Sequence, residues 1–519
     1  MSWEPEVNEI RRREELARQM GGEERIARHR ANGRMTVRER IDALLDPDSF
    51  HETGALAGKA VYNDAGELES FTPSNFIMGT GRIDGRRVVV GCDDFTIRGG
   101  AADGAVGQKA GYSEKLAIGL RLPMVRLVDG TGGGGSVKTI EEIGRTYVPA
   151  NPAWDTVVAL MGQVPVVSAC LGSVAGIGAV RVATSHFSVM VRGSSQLFIA
   201  GPPVVEQGVG EKVSKEELGG SHIHARGSGA VDNDAASEME AFEQIRRFLS
   251  YLPGSVYELP PIVPCSDPAG RKDESLLSAV PRDKRRTYDM RKIIEAVVDA
   301  GSFFEIGRYQ GRTLISGLAR FAGHPVGIVA NDPRQGGGGL TASGSEKMIR
   351  FVDLCDTFHL PVVNLVDNPG FLIGRAAEQQ GTVRAGSRAL AAVYQATVPW
   401  VSILVRRVFG VAGAGHGNAQ GLNLRYAWPS GDWGSLPIEG GVMAAYRREI
   451  EASADPAAKR EEIEQRLRRF TSPFRTAEAF GVEEIIDPRD TRPLLCEWVE
   501  SAWRLLPPIL GQRLRWCRP

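Results

Sequence analysis

Apolar residues in this chain gather in short runs, and the runs occur twice in the same order. LPMVRLVDGTGGGG over Leu122–Gly135 and LPVVNLVDNPGFLIG over Leu360–Gly374 each read as a buried strand ending in Val-Asp and then a glycine-rich turn. VPVVSACLGSVAGIGA (Val164–Ala179) and VPWVSILVRRVFGVAGAG (Val398–Gly415) each run from a Pro-led apolar strand into a Gly/Ala loop. Upstream, Asp48–Gly54 is echoed by Gly301–Gly307, and Arg87–Gly100 by His324–Gly337. The offset is roughly 230 residues, far beyond the ~20–50 of a solenoid unit, so the pattern predicts a duplicated domain.

Strands are expected at Val88–Gly91, Val125–Val128, Val164–Ala169 and Phe187–Val191, then at Ile315–Leu318, Gly327–Ala330, Val362–Val366 and Val401–Val405. Amphipathic stretches such as Ala105–Leu120 and Lys347–Phe358 alternate with them, which predicts an α/β fold of parallel β-α-β units buried on both faces. Thr36 followed by Glu39 and an apolar stripe of Ile41, Leu44 and Leu45 marks a capped helix over Thr36–Leu45, stopped by Asp46-Pro47. Glu6–Gln19, Glu24–Asn32 and Ala452–Arg469 read as charged helices with solvated faces. The Pro-rich Leu252–Pro281 reads as a surface linker between two domains, 1–255 and 270–519. Two domains also follow from size, since 519 residues exceed what one hydrophobic core fills.

Charge narrows the partners. Sixty-two Lys+Arg against 63 Asp+Glu leave a net charge of -1, which offers no general attraction to nucleic acid or an anionic membrane, though local patches can still hold a phosphate-bearing ligand. The six cysteines are far apart with no CxxC, a pattern of reduced thiols without a zinc site, so no metal is expected. The N-terminus is charged with no apolar segment, and no run approaches ~18 apolar residues, which is the pattern of a cytoplasmic protein.

The candidate chemistry lies in the Gly/Ala loops. Gly176–Ala179 and Gly410–Gly415 follow buried strands, where small side chains expose backbone N–H groups to a ligand. Two such donors form an oxyanion hole for a thioester whose α-carbon is becoming an enolate; the bland alternative is close strand–helix packing. One loop in each half suits a reaction that polarises two carbonyl-like groups. No GxGxxG or GxxxxGK[ST] occurs in its required context, and His186, His222, His224 and His416 form no HExxH or triad signature. Asp129 and Asp367 are expected to bond within their own turns.

Ordered matches along nearly the whole chain then resemble a known family. RMTVRERIDALLDPDSF (Arg34–Phe50), PSNFIMGTG (Pro73–Gly81), KAGYSEKLAIG (Lys109–Gly119), SQLFIAGPPVV (Ser195–Val205), KMIRFVDLCD (Lys347–Asp356) and YAWP (Tyr426–Pro429) resemble the carboxyltransferase β subunits of biotin-dependent acyl-CoA carboxylases, of the propionyl-CoA and methylcrotonyl-CoA type. The resemblance implies two tandem crotonase-like domains, a homo-hexamer in many members, and carboxybiotin on a carrier domain as the CO2 donor. By position, Gly178 and Ala179 match the hole for the thioester oxygen, and Val411 and Ala412 the hole for the biotin ureido oxygen. Gly133, Gly134, Gly410 and Gly413 are the candidate cofactor-binding positions. The resemblance implies that the cofactor moves the proton, so few candidate side-chain bases are expected. With no Ala-Met-Lys-Met biotinylation site and no ATP-grasp pattern, a separate biotin carboxylase and biotin carrier subunit is the implied partner, and acyl-CoA the implied substrate.

The chain departs from the family wording at Thr131–Lys138, Asn368-Pro369, Phe409–Gly417 and Ser430–Glu439. Three readings therefore stand: carboxyl transfer to the α or vinylogous carbon of an acyl-CoA, biotin-independent decarboxylation of a (methyl)malonyl-CoA-type ester, and a non-catalytic scaffold that binds acyl-CoA.

Overall fold

The expected apolar runs become the central strands of two sheets. The computed structural model describes residues 2–101, 106–130, 140–141, 144–146, 148, 150–151, 153–417 and 424–519. The chain forms two units: one comprises the residues through Glu258 with Gly511–Arg513 and Arg518–Pro519, the other Leu259–Leu510 with Leu514–Cys517.

In the first unit, seven strands lie in the order His51–Glu52, Phe76–Ile83, Arg86–Asp93, Met124–Val128, Val166–Cys170, Phe187–Val191 and Asn233–Ala235. The second unit repeats the plan with Phe304–Glu305, Leu314–Phe321, His324–Asn331, Val362–Asn368, Trp400–Phe409, Leu424–Ala427 and Glu484–Ile485, plus Asp432–Gly434 beside Trp400–Phe409. Register is duplicated as well: Val89, Met124 and Val166 are aligned across three parallel strands, as are Gly327, Val362 and Trp400. Every residue of Met124–Val128, Val166–Cys170 and Phe187–Val191 is buried, as strands covered on both faces require.

One part of each sheet is not parallel. Phe76–Ile83 and Arg86–Asp93 form an antiparallel hairpin, and so do Leu314–Phe321 and His324–Asn331. The two-residue turns Asp84-Gly85 (φ 49 and 78) and Ala322-Gly323 (φ 47 and 81) have both central residues at positive φ, the geometry that matches strand twist in a tight hairpin.

Beneath the second sheet, Ile293, Ile294 and Val297 from the Met290–Val297 helix and Leu495 and Val499 from the Thr491–Trp503 helix pack with Ile315, Ile328, Val363 and Val401. Burying each such side chain contributes about 1.5–3 kcal/mol. The Pro-rich stretch is anchored: buried Arg492 donates to the carbonyls of Asp267 and Pro268 at 3.1 Å and pairs with Asp299 at 2.8 Å. All six cysteines are free thiols. Among the described residues no helix is long and apolar enough to cross a membrane.

Candidate active site

In the first unit, the strand Val166–Cys170 leads through Gly172 and the short Ser173–Ala175 strand to Gly176, where the chain turns into the Ile177–Ala183 helix. Gly176 has φ 60 and ψ -128, a conformation that only glycine enters without strain. At Gly172 a Cβ would collide with the Asp129 carboxylate. The helix has no side-chain cap, and its first hydrogen bond back to the turn is Val180 N to Gly176 O at 3.2 Å. Gly178 and Ala179 lie in that first turn, both are buried, and neither amide has a hydrogen-bond partner among the described residues. Orphan amides at a helix start are ordinary in water; two buried side by side are donors open to an acceptor.

Ile177 and Gly178 line a cavity of about 90 Å³ whose other polar lining includes Asp93, Glu114, Arg126 and Arg181. Arg126 Nη2 lies 3.1 Å from Glu114 Oε1, with side chains 4% and 2% exposed. Arg126 Nη1 donates to the carbonyls of Arg181 (3.0 Å) and Thr184 (2.7 Å). Burial pulls the Arg126 guanidinium down from its ordinary value. Nε of Arg126, Nε of Arg181 and Oε2 of Glu114 are buried without a hydrogen bond, so several polar valences around this one cavity are unfilled. Asp93 accepts from Asp129 N at 3.2 Å, and burial pushes its carboxyl up to about 7. Sequence reading passed over these four residues. The available signals were an arginine inside an otherwise apolar strand and the Asp93-Asp94 doublet closing another.

Asp129 and Asp367 are not the turn-bonded residues expected of them. Each is fully buried and tied to arginine: Asp129 to Arg40 at 2.7 Å, and Asp367 to Arg407 at 2.6 Å, Arg406 at 2.9 Å and the Tyr288 hydroxyl at 2.9 Å. Burial opposes ionisation of Asp367, but Arg407 and Arg406 outweigh it and hold the carboxyl below its usual range. A buried charge without such partners would be strongly destabilising, so these pairs are anchors of the two sheets.

In the second unit, the strand Trp400–Phe409 passes into the Gly410–Ala414 helix at Gly410, with φ 62. Val411 is exposed (64%) and Ala412 buried (4%), and neither amide has a hydrogen-bond partner among the described residues. The loop is held from behind: Asn368 Nδ2 donates to Ala412 O at 3.1 Å, and a Cβ on Gly413 would lie 2.8 Å from the Val408 carbonyl carbon. Gly413 is thus required for packing. Gly133 and Gly134 lie outside the described residues. His186 bonds Val166 N and Met161 O, both at 2.9 Å, and His416 Nδ1 lies 2.8 Å from Gly413 O; both serve the scaffold.

A second cavity in the first unit, about 270 Å³, is lined by Arg25, Arg28, Arg34 and Arg98 with His29 and Phe95. The Arg98–Gly100 turn joins the two cavities, since Gly100 lines the first and Arg98 and Gly99 the second.

Twin α/β sheets, each ending one strand in a Gly/Ala helix start with free amides, define a tandem crotonase-like protein. Its solved counterparts agree: the transcarboxylase 12S crystal structure, a hexamer with methylmalonyl-coenzyme A bound, superposes with a TM-score of 0.86 at 30% identity over 100% of this chain and 97% of that one. The carboxyl transferase domain profile matches residues 28–506, and the chain belongs to that family. The propionyl-CoA carboxylase carboxyltransferase subunit of Haloferax mediterranei is 36% identical over 95% of each chain. The methylmalonyl-CoA decarboxylase subunit alpha of Veillonella parvula is 33% identical over 91% of each.

Proposed function

We propose that this chain is the carboxyltransferase subunit of a biotin-dependent acyl-CoA carboxylase, placing CO2 on the α, or vinylogous, carbon of a coenzyme A thioester through an enolate. The observation that carries the reading is the pair of buried, unpartnered amides of Gly178 and Ala179, the first of them on a cavity wall. As the α-carbon becomes nucleophilic, negative charge builds on the thioester oxygen. A fixed N–H donor in a dry site stabilises such an oxygen by about 3–4 kcal/mol, judged by the effect of removing one. The arginine-lined cavity alongside suits the phosphates of coenzyme A. Biotin on a separate carrier would supply the CO2 from its carboxylated form and, once freed of CO2, a base for the α-proton. The residues present fit it: the free amides of Val411 and Ala412 are donors for the ureido oxygen, on a loop fixed by Asn368 and by the contact of Gly413 with Val408. A biotin carboxylase/biotin carrier subunit is the partner and a homo-hexamer the assembly.

Paired variants test the assignment. Gly178→Val should abolish turnover with an unchanged melting curve, because the added side chain blocks the thioester, and near-normal activity would overturn it. Ala412→Leu should lower only the biotin-dependent reaction, and an equal loss of biotin-free turnover would show that both loops act on the acyl group.

The second reading is decarboxylation of a (methyl)malonyl-CoA-type ester without biotin. The half-buried Asp93 carboxyl lining the same cavity as Gly178 favours it, and a methylmalonyl-CoA decarboxylase subunit among the relatives is consistent with decarboxylation in the family, with or without biotin. CO2 release from methylmalonyl-CoA by the purified chain alone would support it.

A further inference from the structure

We propose that Arg126 and Arg181, with Glu114, form a specificity subsite beside the thioester that takes a carboxylate at the far end of a short acyl group. The subsite deepens the proposed function by naming the preferred acyl-CoA, and it rests on the placement of the thioester at Gly178 given above.

The duplication supplies an internal control. Arg126 and Asn364 hold the same place in their sheets: Arg126 is aligned with Ser168 on the next parallel strand, and Asn364 with Ser402. The preceding helices also correspond, because Arg121 (φ 54) and His359 (φ 59) each turn the chain at positive φ three residues before Met124 and Val362. Ten residues before those same strand starts stand Glu114 and Val352. The second unit therefore fills the two places with buried neutral residues, Asn364 and Val352, and the fold needs a charge at neither.

A shared structural duty does not explain Arg126 either. Asn364 Nδ2 donates at 3.0 Å to His416 O, just past the Gly410–Ala414 helix. Arg126 Nη1 does the equivalent work, donating to the carbonyls of Arg181 and Thr184 at the end of the Ile177–Ala183 helix. One amide nitrogen suffices for that. The rest of the guanidinium, and the desolvation cost of the buried Arg126–Glu114 pair, are retained only in the unit whose cavity holds Gly178.

The unfilled valences say what the cavity accepts. Among the described residues Nε of Arg126 and Nε of Arg181 have no hydrogen bond, and Arg126 Nη2 faces Glu114 Oε1 at 3.1 Å as an ion pair without hydrogen-bond alignment. Glu114 Oε2 is the unfilled acceptor beside them. Asp93, on the same wall, already accepts from Asp129 N at 3.2 Å. Unused donors thus exceed unused acceptors, and an ionised carboxylate, which only accepts, is the matching group. Phe76, Met124 and Ile177 supply apolar wall for the methylenes between thioester and carboxylate. About 90 Å³ holds several water-sized groups, enough for a two-carbon spacer with its carboxylate and too little for a long alkyl chain.

The test is titration calorimetry on the full-length protein with succinyl-CoA and with 4-methylpentanoyl-CoA, which has the same shape and no charge on its acyl group. Wild type should bind succinyl-CoA roughly 10–100-fold more tightly. Glu114→Val combined with Arg126→Asn installs the second unit's own pair and leaves neither partner of the ion pair stranded. That protein should melt as a folded protein, and its affinity for succinyl-CoA should fall to that for the isostere. Wild type that binds the two thioesters equally, or the isostere more tightly, overturns the inference without recourse to any variant. A folded double variant that keeps the preference overturns it too. Gly178→Val should weaken both thioesters alike, and undiminished affinity for both instead overturns the placement of the thioester.

Discussion

Asp93 is half-buried where its negative charge has no ion-pair partner among the described residues, and desolvation makes its ionisation oppose folding. Its folded carboxyl titrates near 7, against an ordinary value of 3.8. Between those two pH values the folded state holds a proton that the unfolded state has lost, so this group's contribution to stability is intact below about pH 4 and is lost as pH rises through 7. Asp93→Asn should therefore gain on wild type as pH rises from 4 to 8, by as much as about 4 kcal/mol, in denaturant unfolding at each pH. A constant difference between the two proteins would show that the carboxyl is satisfied in the fold. The oppositely placed case is Asp367, where Arg406 and Arg407 hold the charge and ionisation supports the folded state. The two aspartates thus differ because fully buried Asp367 has guanidinium partners and half-buried Asp93 lines a cavity.

At the scale of elements, the unpartnered amides are products of how a strand hands over to a helix. The Ile177–Ala183 and Gly410–Ala414 helices begin at glycines with φ near +60°, lack side-chain caps, and so leave first-turn donors unused. The Val37–Leu44 helix, by contrast, is capped: Thr36 accepts from Glu39 N at 3.4 Å and Glu39 Oε2 accepts from Thr36 N at 2.7 Å. Thr36→Ala should cost about 1 kcal/mol, seen as a lower melting temperature with unchanged turnover. This box was legible in the sequence because Thr36 and Glu39 are three residues apart. The hairpins at Asp84-Gly85 and Ala322-Gly323 escaped the expectation of parallel strands, since buried strands of either direction share the same apolar composition.

At the scale of the whole molecule, the proposed function makes the chain one subunit of a larger assembly. Supplied with ATP, bicarbonate and propionyl-CoA, the purified chain should form no carboxylated product until a biotin carboxylase and biotinylated carrier are added; product without them would overturn the assignment of partners. The duplication, the two-sheet α/β architecture and the two Gly/Ala loops were determined by the sequence alone. Apolar runs ending at small residues leave a chain few ways to bury itself, and the pattern recurs intact in both halves. Only the tertiary structure decided that Asp129 and Asp367 are arginine-held anchors, that a side chain on Gly413 would collide with Val408, and that Asp93, Glu114, Arg126 and Arg181 line the cavity at Gly178. Burial and charge pairing join Arg40 to Asp129, 89 positions away, and Arg492 to Asp299, 193 away, and no local spacing records such meetings.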